Sequence, residues 1–180
     1  MSTASLPGYA RQDGRKGIRN VILVAYLVEC AHHASNAIAS HFPDEEVEVI
    51  GFPGCYPNSY AHQMLTALCT HPNVGGVLLV SLGCESFDRE SLAASIRASG
   101  RWSETIVIQG VGGSKPTVTL GIEAVARGLA HIAATPRTEV HFSDLVIGAE
   151  CGGSDGTSGI TANPAVGYAF DRLVERGATC

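Results

Sequence analysis

The feature that most constrains the fold is a continuous apolar run, Val21–Val28, with the sequence VILVAYLV. Half of its residues are β-branched and none is charged. Such a segment has no polar face, so it predicts a strand that is covered on both sides, as in a parallel sheet between two layers of helices. The run is far too short to span a bilayer, and we expect no membrane association.

Strand and helix signals alternate along the rest of the chain. The predicted strands are Val21–Val28, Val47–Ile50, Val74–Leu82, Glu104–Gln109 and Asp144–Ala149, and the predicted helices are Ala31–His41, Asn58–Thr70, Ser86–Ala98, Lys115–Ala134 and Pro164–Arg176. This alternation predicts an α/β fold: a doubly wound five-stranded parallel sheet with helices on both faces, flavodoxin- or Rossmann-like. We expect residues 1–20 to form an N-terminal extended segment and residues 21–180 to form a single α/β domain.

Composition excludes several classes of protein. The 180 residues carry a formal net charge of −5 and only two lysines, Lys16 and Lys115, so no basic stripe is available for nucleic acid. The first twenty residues are polar and lack the apolar stretch of a secretory signal. Six cysteines are too sparse for a disulfide scaffold. We therefore expect a cytoplasmic protein whose thiols are free.

Four of the six cysteines follow predicted strands. Cys30, Cys84 and Cys151 come directly after the first, third and fifth strands, and Cys55 lies in the loop after the second. The carboxyl ends of parallel strands meet at one edge of a sheet, where open α/β sheets bind ligands. Two interpretations remain open: the cysteines are small packing residues at tight turns, or they line a thiolate pocket that holds a soft metal such as iron or zinc. We predict the second, with all four as metal ligands.

Carboxylates and hydroxyls accompany these cysteines. Glu85 and Asp155 are placed to complete a coordination shell or to act as a base. Ser154 and Ser158 are expected to point into the same pocket or to brace its loop. These four are the predicted catalytic residues.

Other motifs carry less weight. Gly152–Gly156 satisfies G-x-S-x-G, but no histidine follows the serine, since His141 is the last one, so a serine hydrolase is excluded. His32 and His33 are adjacent and would diverge by about 100° on a helix. At most one of them would enter a site, and the default interpretation is a solvated pair.

An ordered set of motifs resembles the altronate/galactarate dehydratase family, which also includes the large subunit of sulfolactate sulfo-lyase. The resemblance runs from about Gly8 to the end of the chain. The motifs are Gly14-Arg15-x-Gly17-x-Arg19-Asn20, Cys30, His71-Pro72-Asn73, Gly83-Cys84-Glu85 and Cys151-Gly152-Gly153-Ser154-Asp155-Gly156-x-Ser158-Gly159-Ile160-Thr161-Ala162-Asn163-Pro164-Ala165. The family's H-x-x-G-C-G segment is reduced here to Gly54-Cys55. Arg19 lies before the first strand and is expected to have a structural or interdomain role.

The resemblance implies a hydro-lyase that acts on aldonic or aldaric acids with a divalent metal, Fe²⁺ in the first place. It also implies a middle domain of a longer enzyme, whose remaining catalytic domain would be a partner and without which this chain would be nearly inactive. Charge develops on the substrate carboxylate during dehydration, so oriented backbone donors are expected there. We predict substrate contacts from Gly112, Gly113, Lys115, Gly152, Gly153 and Asn163. Alternatives are a sulfo-lyase, or a non-catalytic binding module of the same fold. Exposed apolar surface would also favour homo-oligomers.

Overall fold

A computed structural model describes residues 5–153 and 155–180. Contacts divide the chain into two compact units: Tyr9–Arg137, and Thr138–Cys180 together with the start of the chain. The sequence alone predicts one domain over residues 21–180.

The larger unit is built on a parallel sheet of four strands in the order β4-β3-β5-β6. Its strands are β3 (Val21–Tyr26), β4 (Val47–Gly51), β5 (Val74–Ser81) and β6 (Trp102–Val107). Two short strands come earlier in the chain: β1 (Ser5–Ala10), most of which belongs to the smaller unit, and β2 (Lys16–Gly17). Its helices are α1 (His32–Ala39), α2 (Ser59–Cys69), α3 (Arg89–Ala98) and α4 (Ser114–Ile132). The mixed α/β class and four of the five predicted strands are confirmed.

The core lies on both faces of this sheet. Along β3, Ile22 and Val24 pack with residues of α1 and α4, while Leu23 and Ala25 pack with residues of α2 and α3. All eight residues of β5 are buried. The absence of charged residues from these central strands is therefore explained by helices that cover each side.

An arginine cluster closes the amino edge of the sheet. The Arg11 Nε donates to the Pro72 carbonyl at 2.6 Å, and Arg15 donates to the Thr70 carbonyl at the end of α2. Arg101 as a whole residue is 5% exposed, and its guanidinium donates to the His71 and Ser99 carbonyls, both at 3.1 Å. The cations thus lie at the carboxyl ends of helices, where the helix dipole is negative.

The motif that contains Gly17 and Arg19 belongs to the same edge. A Cβ on Gly17 would stand 2.1 Å from the Pro72 carbonyl oxygen, so only glycine allows this approach. Arg19 reaches Glu46 just before β4, with 3.2 Å between its Nε and the carboxylate oxygen. This motif therefore holds the segment just before β3 against the amino edge of the sheet.

The smaller unit differs from the prediction. It contains β7 (Arg137–His141) and α5 (Ala162–Val174), but the predicted fifth parallel strand at Asp144–Ala149 does not form. The Asp144 carboxylate accepts the His141 N–H at 2.9 Å and closes a 3₁₀ turn instead. Val146 then makes only an isolated bridge with Thr179 and is 83% exposed.

Candidate functional site

The carboxyl edge of the sheet has the topology of a ligand site. From β3 the chain crosses to β4 on one side and later returns to β5 on the other, so the order reverses between β3 and β5. The crevice at such a reversal is where open α/β sheets bind ligands.

Backbone hydrogen bonds tie the loops of this edge together. The Leu27 N–H donates to the Val80 carbonyl at 3.1 Å and the Glu29 N–H to the Pro53 carbonyl at 3.3 Å. The Ser86 N–H donates to the Cys55 carbonyl at 3.1 Å. The loops after β3, β4 and β5 are therefore neighbours, as the sequence predicts for a parallel sheet.

Three of the predicted metal ligands, Cys30, Cys55 and Cys84, are exposed and lie on these three loops. Cys151, also exposed, lies in the smaller unit. Within residues 5–153 and 155–180, no three His, Cys, Asp or Glu side chains come together closely enough to hold a metal ion. Among the described residues the cysteines are thus not gathered into a metal centre, and we derive no step through a metal. The ligand set remains a prediction.

Cys69 is different from the other cysteines. It is fully buried in α2, and burial raises the pKa of its thiol to about 12. Cys69 is therefore a packing residue. It lies at the end of a helix and not, like the four predicted ligands, after a strand.

Glu85 is held by groups from its own turn. One carboxylate oxygen accepts the Ser81 hydroxyl, and the other accepts the Gly83 N–H at 2.7 Å. Partial burial works to raise the pKa of Glu85, but these hydrogen bonds and the Arg89 charge outweigh it and hold the pKa below its usual value. A carboxylate with a lowered pKa is a weak base. Its geometry suits fixing the Gly83–Glu85 turn.

The glycine-rich loop before α4 uses part of its hydrogen-bonding capacity in bonds within the chain. Gly112 and Gly113 have φ angles of 92° and 118°. The Gly113 N–H donates to the Ile108 carbonyl at 2.9 Å and is therefore engaged within the chain. Gly112 and Lys115 are exposed. Their predicted contact with a substrate carboxylate stays a prediction.

The glycine-rich loop of the smaller unit braces itself. The Asp155 carboxylate accepts both the N–H and the hydroxyl of Thr157 at 2.7 Å, and these bonds hold its pKa below the usual value. The Ser158 hydroxyl accepts the Asp155 N–H at 3.1 Å, and the Asn163 N–H donates to the Ser158 carbonyl at 2.9 Å.

Other predicted residues of this loop are less constrained by contacts. Gly152 and Gly153 are exposed. Ser154 lies outside the described residues. Catalytic and substrate-binding roles for this loop remain predictions.

Two features of the larger unit were missed from the sequence. The first is a contact between His32 and Glu29, with 3.1 Å between Nδ1 and a carboxylate oxygen. The second is a cavity of about 400 Å³ between the starts of α2 and α3. It is lined by Pro57, Asn58, Ser59, His62, Gln63, Ser86, Phe87, Asp88 and Ser91. Only the i, i+3 spacing of Glu29 and His32 offered a sequence signal.

The His62 ring gives the cavity a further polar group. It stacks on the Phe87 ring with centroids 5.5 Å apart. Its Nε2 is buried and has no hydrogen-bond partner within the described residues. An unpaired buried polar atom is costly, so this nitrogen destabilises the packing around the His62 ring.

A parallel sheet between helices, with linked loops at its crossing point, defines an α/β domain of the kind that binds ligands at this edge. The chain belongs to the altronate/galactarate dehydratase family. The family model for the second domain of D-galactarate dehydratase/altronate hydrolase matches residues 8–133, and the model for the C-terminal domain of D-galactarate/altronate dehydratase matches residues 142–180.

Individual relatives agree with this family. Altronate dehydratase of Bacillus subtilis is 29% identical over 189 residues, covering 96% of this chain and 37% of the relative. The (2R)-sulfolactate sulfo-lyase subunit beta of Chromohalobacter salexigens is 29% identical over 179 residues, covering 96% and 44%. Galactarate dehydratase of Escherichia coli is 40% identical over 116 residues, covering 61% and 22%. The chain thus spans less than half the length of these relatives.

No helix in the described part of the chain is both long and apolar enough to cross a membrane.

Proposed function

We propose that this chain is part of a hydro-lyase that dehydrates an aldonic or aldaric acid, acting in the cytoplasm. The observation that carries the proposal is the match to two dehydratase domain models that together take up residues 8–133 and 142–180. The linked loops at the β3/β5 crossing support it, because they form the kind of crevice in which α/β enzymes bind small substrates.

The cavity between α2 and α3 supports a polyhydroxylated substrate. Asn58, Gln63 and Ser91 offer amide and hydroxyl groups that can both donate and accept hydrogen bonds. We infer that this cavity receives the hydroxylated part of the acid.

Iron is part of the proposal and is tested separately. We propose that Cys30, Cys84, Cys151 and Cys55 are metal-binding residues, with Fe²⁺ favoured by thiolate ligands. Metal analysis of anaerobically purified protein should detect iron in the wild type, a reduced amount in Cys84→Ser and an unchanged amount in the control Cys180→Ser. Equal iron in all three proteins, or none in the wild type, would contradict the ligand set.

The function is tested by a panel of acids on the same protein. Aldonic, aldaric and sulfonated hydroxy acids are assayed for release of a 2-keto product and, by calorimetry, for binding. We expect binding of an aldonate or aldarate with very low turnover by this chain alone, because it spans only part of its relatives. If the protein neither binds nor turns over any sugar acid, the proposal is refuted. Turnover near that of full-length dehydratases would refute the expected inactivity of the chain.

A sulfo-lyase is the second candidate. The sulfolactate sulfo-lyase relative is named as a subunit, and this chain spans 44% of it, more than of the other relatives described above. Release of sulfite from a sulfonated hydroxy acid, without dehydration of sugar acids, would favour this candidate. Binding of an acid with no turnover even after the missing catalytic parts are supplied would favour a non-catalytic module.

A further inference from the structure

The inference concerns a cavity at the amino edge of the sheet. Its volume is about 310 Å³, within the range of pockets that hold small molecules. Its walls are the turn after β1, the turn between α3 and β6, and the last turn of α4, all of which belong to the larger unit. We propose that this cavity binds a small anion through a carboxylate or phosphate group.

The cavity is separate from the crevice at the carboxyl edge. Gly75, near the start of β5, lines the cavity, whereas Ser81 at the other end of the same strand bonds to Glu85. A strand rises about 3.3 Å per residue, so these two positions lie about 20 Å apart. An anion in the cavity therefore occupies a site other than that of the proposed dehydration, and its binding does not require that function.

The guanidinium groups at this edge outnumber the carboxylate that pairs with them. The Asp13 carboxylate accepts a hydrogen bond from Arg15 Nη2 at 2.8 Å and another from Arg101 Nη1 at 3.1 Å, so two cations share one negative charge. Among the described residues that line the cavity, Arg11 and Arg101 are positive and none is Asp or Glu. The edge therefore keeps an excess of positive charge, which attracts an anion.

The hydrogen bonds of Arg11 go to neutral groups in the described part of the chain. Its Nε, Nη1 and Nη2 donate to the Pro72 carbonyl, the Asn20 side-chain oxygen and the Arg19 carbonyl. Burial, and then the charge of Arg101, lower the pKa of Arg11 to about 10. A negative charge in the cavity would offset the repulsion between these two arginines.

Donors remain for the oxygens of such an anion. A guanidinium carries five N–H groups, and the bonds above use three of those of Arg11. The Gln12 amide also lines the cavity, and it lies so close to Gly100 that a Cβ there would collide with it. The side chains of Gln12 and His131 are exposed and make no hydrogen bond to another described residue. The cavity thus combines positive charge with unused polar groups.

Trp102 provides the readout of the first test, because it lines the cavity and is the only tryptophan in the chain. Its fluorescence is followed while the full chain is titrated, at constant ionic strength, with the dianion glucarate, with inorganic phosphate and with the neutral polyol glucitol. We expect a saturable change with at least one of the anions and a dissociation constant of about 1 mM or lower, as is ordinary for a ligand of this size.

The three probes separate the two kinds of anion. A response to glucarate alone assigns the site to a carboxylate, and a response to phosphate alone assigns it to a phosphate. No saturable change with either anion, or an equal change with glucitol, overturns the proposal.

Two exposed neighbours at the end of α4 supply matched variants for the second test. Ala134 lines the cavity, whereas Ala133 is exposed beside it and is not a lining residue. Ala134→Glu places a negative charge next to the anion and should weaken binding by about tenfold or more. Ala133→Glu changes the net charge equally but is screened by water, so binding should stay within about threefold of the wild type.

Ala134→Lys separates charge from bulk, because its side chain is also long but positive. It should bind the anion at least as tightly as the wild type, and urea unfolding checks that all three variants keep the fold. Equal weakening in the two glutamate variants, or in Ala134→Glu and Ala134→Lys, overturns the assignment of an anion to this cavity.

Discussion

Removing the donors of Arg101 is the sharpest test of the amino edge. Its Nε donates to the Val74 carbonyl at 3.2 Å, its Nη1 to the Asp13 carboxylate and the Ser99 carbonyl at 3.1 Å, and its Nη2 to the His71 carbonyl at 3.1 Å. Arg101→Met keeps most of the apolar stem but removes every one of these hydrogen bonds.

The size of the loss follows from burial. The Arg101 side chain is 2% exposed and that of Asp13 is 24% exposed. Breaking a buried ion pair from one side costs about 3–5 kcal/mol, because the remaining partners are left without compensation. Water reaches Asp13 in part, so we expect the lower end, about 3 kcal/mol. Arg127→Met is the matched control, since the Arg127 side chain is 56% exposed and water screens its pair with Glu104.

Urea unfolding at pH 7 measures both variants against the wild type. A difference between Arg101→Met and Arg127→Met below about 1 kcal/mol, compared with the 3 kcal/mol expected from a broken buried pair, would refute the reasoning. The pH dependence gives a second readout. Hydrogen bonds from Arg15, and then from Arg101, hold the pKa of Asp13 well below its ordinary 3.8. The ionised Asp13 carboxylate therefore stabilises the fold above pH 3.8, and this stabilisation is lost as the pH falls below 3.8. The loss of stability on acidification should be smaller in Arg101→Met, which lacks one of the two donors.

Three further predictions test local features by the same unfolding assay and by thiol chemistry. Gly17→Ala should cost about 2–3 kcal/mol of unfolding free energy through its clash with the Pro72 carbonyl. Its control, Gly14→Ala, has φ at 82° and open space around it and should cost only about 1 kcal/mol. Equal losses in the two variants would contradict the close approach at Gly17. Asn58→Ala removes the side chain that caps α2 through the Ala61 N–H and should cost about 1 kcal/mol, and a neutral result would count against the cap. A thiol reagent at pH 8 should modify the five exposed cysteines of the native chain and reach Cys69 only after unfolding, because burial raises its pKa to about 12; rapid modification of Cys69 would contradict its burial.

The sequence predicts the two central strands, β3 and β5, most directly, because their apolar residues are the buried ones. Val74–Leu82 has no charged residue, and β5 is buried along its whole length. The fifth strand was predicted from alternation alone. Its apolar stretch is only Leu145–Ile147, and the Asp144 carboxylate at its start closes a turn by accepting the His141 N–H. The strand that does form nearby, Arg137–His141, carries two charged residues and has no buried-strand pattern.

For the site, the sequence could predict only which loops lie together at one edge of the sheet. Parallel strands predict which loops share an edge, and the hydrogen bonds among the loops of Cys30, Cys55 and Cys84 agree. Side-chain partners within a turn are set by rotamers and by a few tenths of an ångström, which no pattern shows. The engagement of Glu85 by Ser81 and Gly83, and the pairing of His32 with Glu29, were therefore missed.

The strand order also has a consequence for how the chain folds. β3 occupies a central position, yet its partner β5 begins roughly fifty residues after β3 ends. During synthesis at about 5–20 residues per second, the apolar run Val21–Val28 waits for several seconds before that neighbour exists. Pairing between strands far apart in sequence is slow for the same reason, since a long loop must close first. The segment that defines the core is thus also the one most exposed to aggregation while the chain is incomplete, and the place where a chaperone would act.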